Sequence, residues 1–204
     1  APPLAHDLVQ VKLKEHSGVG RYDLRVVNPG DRVQLGGITA EYFRVCHSIP
    51  DACGIALHTN AGLVVHSGDF KIDHTPADGM PTDFPALAQL TADGVFLMLS
   101  DSTYAEVEGY TESEQVVGEA LDRAIGEAKG RVMVATFASL ISRVQQVIQA
   151  ATNHQRKVCI VGRSMVDNVH MAEEMGYLDI PSGVLVSINQ SRRIPPEEIV
   201  FVTT

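Results

Sequence analysis

No two of the eight histidines stand two or four residues apart, so the chain carries no compact pair able to hold a metal by itself. The three cysteines, Cys46, Cys53 and Cys159, form neither a disulfide framework nor a CxxC motif, which fits a reducing interior. No apolar run approaches the ~20 residues of a membrane span, and the start lacks a charged stretch followed by an apolar one. The expectation is a cytoplasmic chain that neither inserts in a membrane nor carries a visible address. Basic residues are outnumbered, 16 against 25, for a net charge of −9. That argues against nonspecific nucleic-acid binding through a global basic field, so any such contact has to come from a local groove.

What is present supports a folded core. With 204 residues, 45% of them hydrophobic, the chain can build one large or two small domains. Leu4 to Glu15 reads as a short surface helix. Asn28-Pro29-Gly30-Asp31 is a turn that opens β segments at about 32–35, 38–46, 54–59 and 62–67. Pro85 to Leu90 reads as a short helix, and Gly94 to Leu99 as a continuous buried strand. The character changes near Gly109. Thr111 with Glu114 is a capping box for a helix whose face is Val117, Ala120, Leu121, Ala124, Ile125 and Ala128, ending at Gly130. Then come a strand from Arg131 to Phe137, a helix from Leu140 to Ala151 on Ile141, Val144, Ile148 and Ala151, a strand from Lys157 to Val161 and a helix from Met165 to Met175. Such alternation predicts a parallel α/β layer, with the domain boundary at about Glu108.

The chemistry gathers at strand ends. Ile38 to Cys46 runs into His47, Gly62 to Ser67 into Asp69, and Val95 to Ser100 into Asp101. Three buried strands would bring an imidazole and two carboxylates to one rim of a sheet. Histidine with carboxylate suits a hard or borderline divalent ion such as zinc or manganese. Taken singly, each residue has a plainer reading: His47 as a hydrogen-bonded structural residue, Asp69 as a turn aspartate, Asp101 as a cap. His66 and His74 flank Asp69 and stay outside the ligand set. Ser139 follows a strand and begins a helix, where its hydroxyl and the open amides could hold a phosphate. Ser164 repeats that arrangement, with Arg163 as a charge-assisted donor. Helix capping explains either serine equally well.

Three stretches, Val45-Cys46-His47-Ser48-Ile49-Pro50-Asp51, His66-Ser67-Gly68-Asp69-Phe70-Lys71-Ile72-Asp73 and Leu99-Ser100-Asp101-Ser102-Thr103, resemble successive signatures of the metallo-β-lactamase/β-CASP nucleases. Thr136-Phe137-Ala138-Ser139 leading into Arg143-Val144-Gln145-Gln146, then Val161-Gly162-Arg163-Ser164-Met165, resemble the β-CASP part of the ribonuclease J branch. The resemblance implies an α/β fold: part of a metallo-β-lactamase αββα sandwich over 1–108, then part of a Rossmann-like β-CASP domain over 109–204. It also implies an internal fragment, without the family's His-x-His-x-Asp-His segment. His47 would bind one of two divalent ions, zinc first with manganese or magnesium as alternatives, and Asp69 would bridge both. Asp101 would lie beside the metals and orient a histidine from further along, while Ser139, Arg163 and Ser164 would meet the substrate phosphate. Leu140 replaces the polar residue often found after that serine. The implied activity is metal-dependent 5′-to-3′ exonuclease and endonuclease cleavage of single-stranded RNA in rRNA processing and decay, by a homo-oligomeric full-length protein. The fragment alone would hold metal weakly and be inactive. A small ester or thioester hydrolase of metallo-β-lactamase type and a metal-free interaction module are the alternatives.

Overall fold

The computed structural model describes residues 1–16, 18 and 20–204. Its contacts divide the chain into two compact units, Ala1–Glu112 and Ser113–Thr204.

Unit 1 holds α1 (Pro3–Glu15), β1 (Arg32–Leu35), β2 (Ile38–Arg44), β3 (Cys53–Thr59), β4 (Gly62–His66), α2 (Phe84–Leu90) and β5 (Leu97–Leu99). The five strands form one sheet in chain order. Strands β1 to β4 are an antiparallel meander, whereas β5 runs parallel to β4. Two strands antiparallel to the same neighbour share a direction, so β2, β4 and β5 all point one way. Phe43, Val45 and Val65 form the buried cluster, against which Leu87 and Leu90 of α2 pack. Phe43 pairs across the sheet with Gly54, and the absent side chain is what admits its ring: a Cβ there would sit 2.2 Å from the ring tip. Helix α2 starts where the Asp83 carboxylate accepts the Ala86 N–H at 2.9 Å.

Unit 2 holds α3 (Glu114–Glu127), β6 (Val132–Ala135), α4 (Ile141–Asn153), β7 (Lys157–Ile160), α5 (Arg163–Glu174), α6 (Ile188–Ser191) and β8 (Ile199–Thr203). Its sheet is wholly parallel in the order β6-β8-β7, and a parallel bridge from Val158 to Leu185 extends it past β7. The central β8 buries Ile199, Val200 and Val202, while α4 buries Ile141, Val144, Val147, Ile148 and Ala151. Buried Arg156 donates to the carbonyls of Ala128 and Gly130, closing the carboxyl end of α3 with a cation where the helix dipole favours one. The expected α/β class holds.

Several local expectations are corrected. Ser113, not Thr111, caps α3 by accepting the Gln115 N–H. Of the expected α3 face only Ile125 is buried, because α3 meets α4 through the glycine side: Gly118 lies against Gln146 and Gly126 against the His154 ring. The run Gly94 to Leu99 is not a buried strand. Only Leu97–Leu99 is extended, all three residues are exposed, and β5 is the sheet's edge.

Candidate functional site

The common direction of β2, β4 and β5 places their carboxyl ends on one edge of the unit 1 sheet. His47 stands three residues past β2, Asp69 three past β4 and Asp101 two past β5. Backbone bonds lock these turns together. The Lys71 N–H donates to the Cys46 carbonyl at 2.7 Å, and the Ser67 N–H to the Leu99 carbonyl at 2.9 Å. Buried Ser67 also accepts the Asp101 N–H on its hydroxyl at 2.9 Å and donates to the Gly68 carbonyl at 2.7 Å. Buried Thr82 accepts the Cys46 N–H at 2.9 Å, steadying the residue before His47. Gly68 turns the chain with φ +66, and a Cβ on it would lie 2.9 Å from the Cys53 carbonyl oxygen.

His47 and Asp69 converge. Their Nε2 and Oδ2 atoms are 3.9 Å apart, with the Asp69 side chain 81% exposed and the imidazole 29% exposed. Nε2 also lies 3.2 Å from the Ser48 hydroxyl. Asp101 completes the rim and is held from three sides: its carboxylate accepts the Thr103 hydroxyl at 2.5 Å, the Thr103 N–H at 2.9 Å and the Phe70 N–H at 3.4 Å. Those bonds, the Thr103 hydroxyl foremost, hold its carboxyl below the usual range, and the nearby His47 adds to the effect.

The His47–Asp69 separation fits one divalent ion, since two bonds of ~2.0–2.2 Å can span it. Two ligands are not a full set. Among the described residues no group of three or more His, Cys, Asp or Glu side chains gathers as a metal site does. His66 is exposed and accepts the Gly68 N–H at 3.0 Å on Nδ1, and His74 is exposed as well. Cys46 and Cys159 are buried, and burial pushes the half-buried Cys53 thiol up to about 11.

Unit 2 has its own polar edge at the carboxyl ends of its parallel strands. Ser139 lies between β6 and α4, and Arg163 and Ser164 open α5. Neither serine caps its helix. The cap of α4 is Leu140, that of α5 is Gly162 at φ +104, and neither helix has a side-chain cap. The Asn168 amide donates to the Ala138 carbonyl at 3.0 Å, which ties the loop before α4 to α5. Arg143 reaches Glu114 at 2.6 Å, and the Gln146 amide donates to the Glu114 carbonyl at 2.7 Å, pinning the first two turns of α4 to the start of α3. Ser67, Thr82 and Asn168 escaped the sequence reading because their partners are 30 to 36 residues away. Only Ser67, beside the Gly68-Asp69 pair, carried a local signal.

A family model described as ribonuclease J, beta-CASP domain, matches residues 129–204. Ribonuclease J of Synechocystis is 44% identical over all 204 residues, and that of Mycolicibacterium smegmatis 45% identical over 97% of the chain. The chain belongs to the ribonuclease J family. It spans 32% and 35% of those two relatives. Ribonuclease J of Helicobacter pylori is 40% identical over 99% of the chain, which covers 30% of it. Among solved structures, an Enterococcus faecalis protein titled as of unknown function superposes with a TM-score of 0.61 at 14% identity, over 91% of this chain and 46% of its own. At that identity the likeness shows fold alone.

Proposed function

We propose that the chain is the part of a metal-dependent ribonuclease that carries a bridging carboxylate and a phosphate-binding loop. One observation carries the reading: His47 and Asp69, 22 residues apart, come within 3.9 Å at the carboxyl edge of β2 and β4. The 44–45% identity to ribonuclease J proteins supports RNA as the substrate class. Residues 1–108 act as part of a metallo-β-lactamase domain and 109–204 as part of a β-CASP domain.

In this reading His47 would hold one divalent ion and Asp69 would be shared between two, zinc first with manganese or magnesium as alternatives. When bound, the pair supplies Lewis acidity for hydrolysis of a phosphodiester, in 5′-to-3′ exonuclease and endonuclease modes. Asp101 fixes and charges the neighbouring rim, orienting a histidine that this span does not supply. In unit 2, Ser139, Arg163 and Ser164 hold a phosphate of single-stranded RNA. With two ligands from this span, metal binding by these 204 residues alone is weak and their cleavage negligible. The longer protein acts on rRNA and other transcripts as a cytoplasmic homo-oligomer, assignments that rest on the family likeness. A hydrolase of small esters is the weaker reading, because it has no use for the β-CASP segment at 129–204.

The test uses the longer gene product. Asp69→Asn lowers cleavage of single-stranded RNA by at least about a hundredfold, with the circular dichroism spectrum unchanged. Cleavage at the parent rate by a folded Asp69→Asn protein refutes the metal role.

A further inference from the structure

The loop between β6 and α4 presents a large aromatic side chain to solvent. Phe137 is 80% exposed. Its backbone, by contrast, is firmly held. The Thr136 N–H donates to the Thr203 carbonyl at 2.9 Å, the Phe137 carbonyl accepts the Leu140 N–H at 3.0 Å, and the next residue, Ala138, accepts from Asn168 at 3.0 Å. An apolar ring fixed on a rigid pedestal and left in water is a poor use of a phenylalanine in a folding core, but it suits a flat partner, since little freedom is lost when the partner lands.

The surroundings say what kind of partner. Ser139 sits inside the turn closed by the Phe137–Leu140 bond, two residues from the aromatic position. Arg163, at the start of the helix that Asn168 ties to this loop, is exposed and has no carboxylate partner among the described residues. A cation, a hydroxyl that caps nothing and an exposed ring thus stand on two segments, after β6 and after β7, that the Asn168–Ala138 bond ties together. Phosphate charge and base face are the two chemistries that a nucleotide joins. A net charge of −9 argues against holding RNA by diffuse attraction, which raises the weight that stacking has to carry.

We propose that Phe137 is a stacking platform for the base of the nucleotide whose phosphate Ser139 and Arg163 hold. It rests on the phosphate reading given above, and it adds a contact that is blind to base identity and largely insensitive to salt.

The chain has no tryptophan, so F137W installs a single tryptophan, excited apart from the tyrosines, at the platform. The probes are a short 5′-monophosphorylated oligoadenylate, its 5′-hydroxyl counterpart, and a 5′-monophosphorylated version abasic at the first nucleotide, each titrated into the 204-residue chain. The 5′-monophosphorylated oligoadenylate quenches F137W emission and the abasic version does not. F137A weakens binding of the intact oligonucleotide about tenfold or more and that of the abasic one hardly at all. Equal binding by F137A and parent, or quenching that ignores the missing base, overturns the platform. If the parent prefers 5′-monophosphate over 5′-hydroxyl RNA while F137A changes nothing, the phosphate reading stands and the platform alone falls. If that preference is absent but F137A still loses affinity for intact RNA only, the platform stands and the phosphate reading falls. Failure of all three RNAs to bind overturns both.

Discussion

Replacing Gly68 by alanine tests the geometry that aims Asp69. At φ +66 an L-residue costs ~1–2 kcal/mol, partly offset by the smaller entropy of the unfolded alanine chain. The new Cβ also meets the Cys53 carbonyl oxygen at 2.9 Å. That oxygen belongs to the first residue of β3, which is paired to Arg44 of β2 and cannot retreat without disturbing that pair, so crowding adds roughly 1–2 kcal/mol in the manner of an overpacked core. Gly79 is the internal control. It lies in the same unit at φ +71 with nothing within 4 Å of its added Cβ, so Gly79→Ala isolates the conformational part. Hydrogen exchange of the β3 and β4 amides reads unit 1 directly. Gly68→Ala speeds it by a factor corresponding to roughly 2–4 kcal/mol, and Gly79→Ala by one corresponding to ~1 kcal/mol. Equal effects from the two would refute the claim that the Cys53 carbonyl leaves no room at Gly68.

Two further outcomes concern unit 2. Asp122 accepts the Asn153 amide at 2.9 Å and faces His154, and these contacts, Asn153 first, hold its carboxyl below the ordinary value of 3.8. A carboxyl depressed by folding stabilises the fold above its unfolded value and loses that contribution as pH falls through the folded one. Asn153→Ala therefore raises the Asp122 titration toward 3.8 in a carboxyl-carbon NMR experiment and flattens the acid limb of stability below that pH; an unmoved titration shows that the amide contact has no hold on the charge. Arg156→Ala strips two carbonyls of a buried cationic donor and costs roughly 2–3 kcal/mol in exchange of the β7 and β8 amides, with Arg156→Lys recovering only part; a loss below ~0.5 kcal/mol would show that water replaces the guanidinium freely.

What the sequence disclosed depended on how local each cause was. The core face of α4 was legible because Ile141, Val144, Ile148 and Ala151 repeat at helical spacing and all four are buried. The run at Gly94 to Leu99 misled because an apolar stretch does not say which neighbour it will have. Only pairing with β4 places β5 at an edge. Strand β8, at the centre of unit 2, was not assigned, nor was the bridge at Leu185, since short apolar runs lack a period to read. At the rim, His47, Asp69 and Asp101 could be named because polar groups ending apolar runs mark strand ends. The ties that bring them together could not, because Ser67 meets Leu99 and Lys71 meets Cys46 only after the sheet has formed.

The rim therefore follows from strand direction more than from strand side chains. An odd number of antiparallel steps would have sent β4 the opposite way from β2, with Asp69 at the far edge from His47. The Thr59–Gly62 turn and the Asp51 turn, left-handed at φ 64, supply two reversals, and the parallel return to β5 adds Asp101 to the same side. Exposed side chains within the strands can vary as long as the buried Ala40, Ala56 and Val65 stay, Phe43 keeps its glycine partner and the register holds. A one-residue slip of β4 would carry Asp69 about 3.3 Å along the sheet and flip its face, enough to separate a pair now 3.9 Å apart. Register between β3 and β4 is thus as much a determinant of the site as the two ligands themselves.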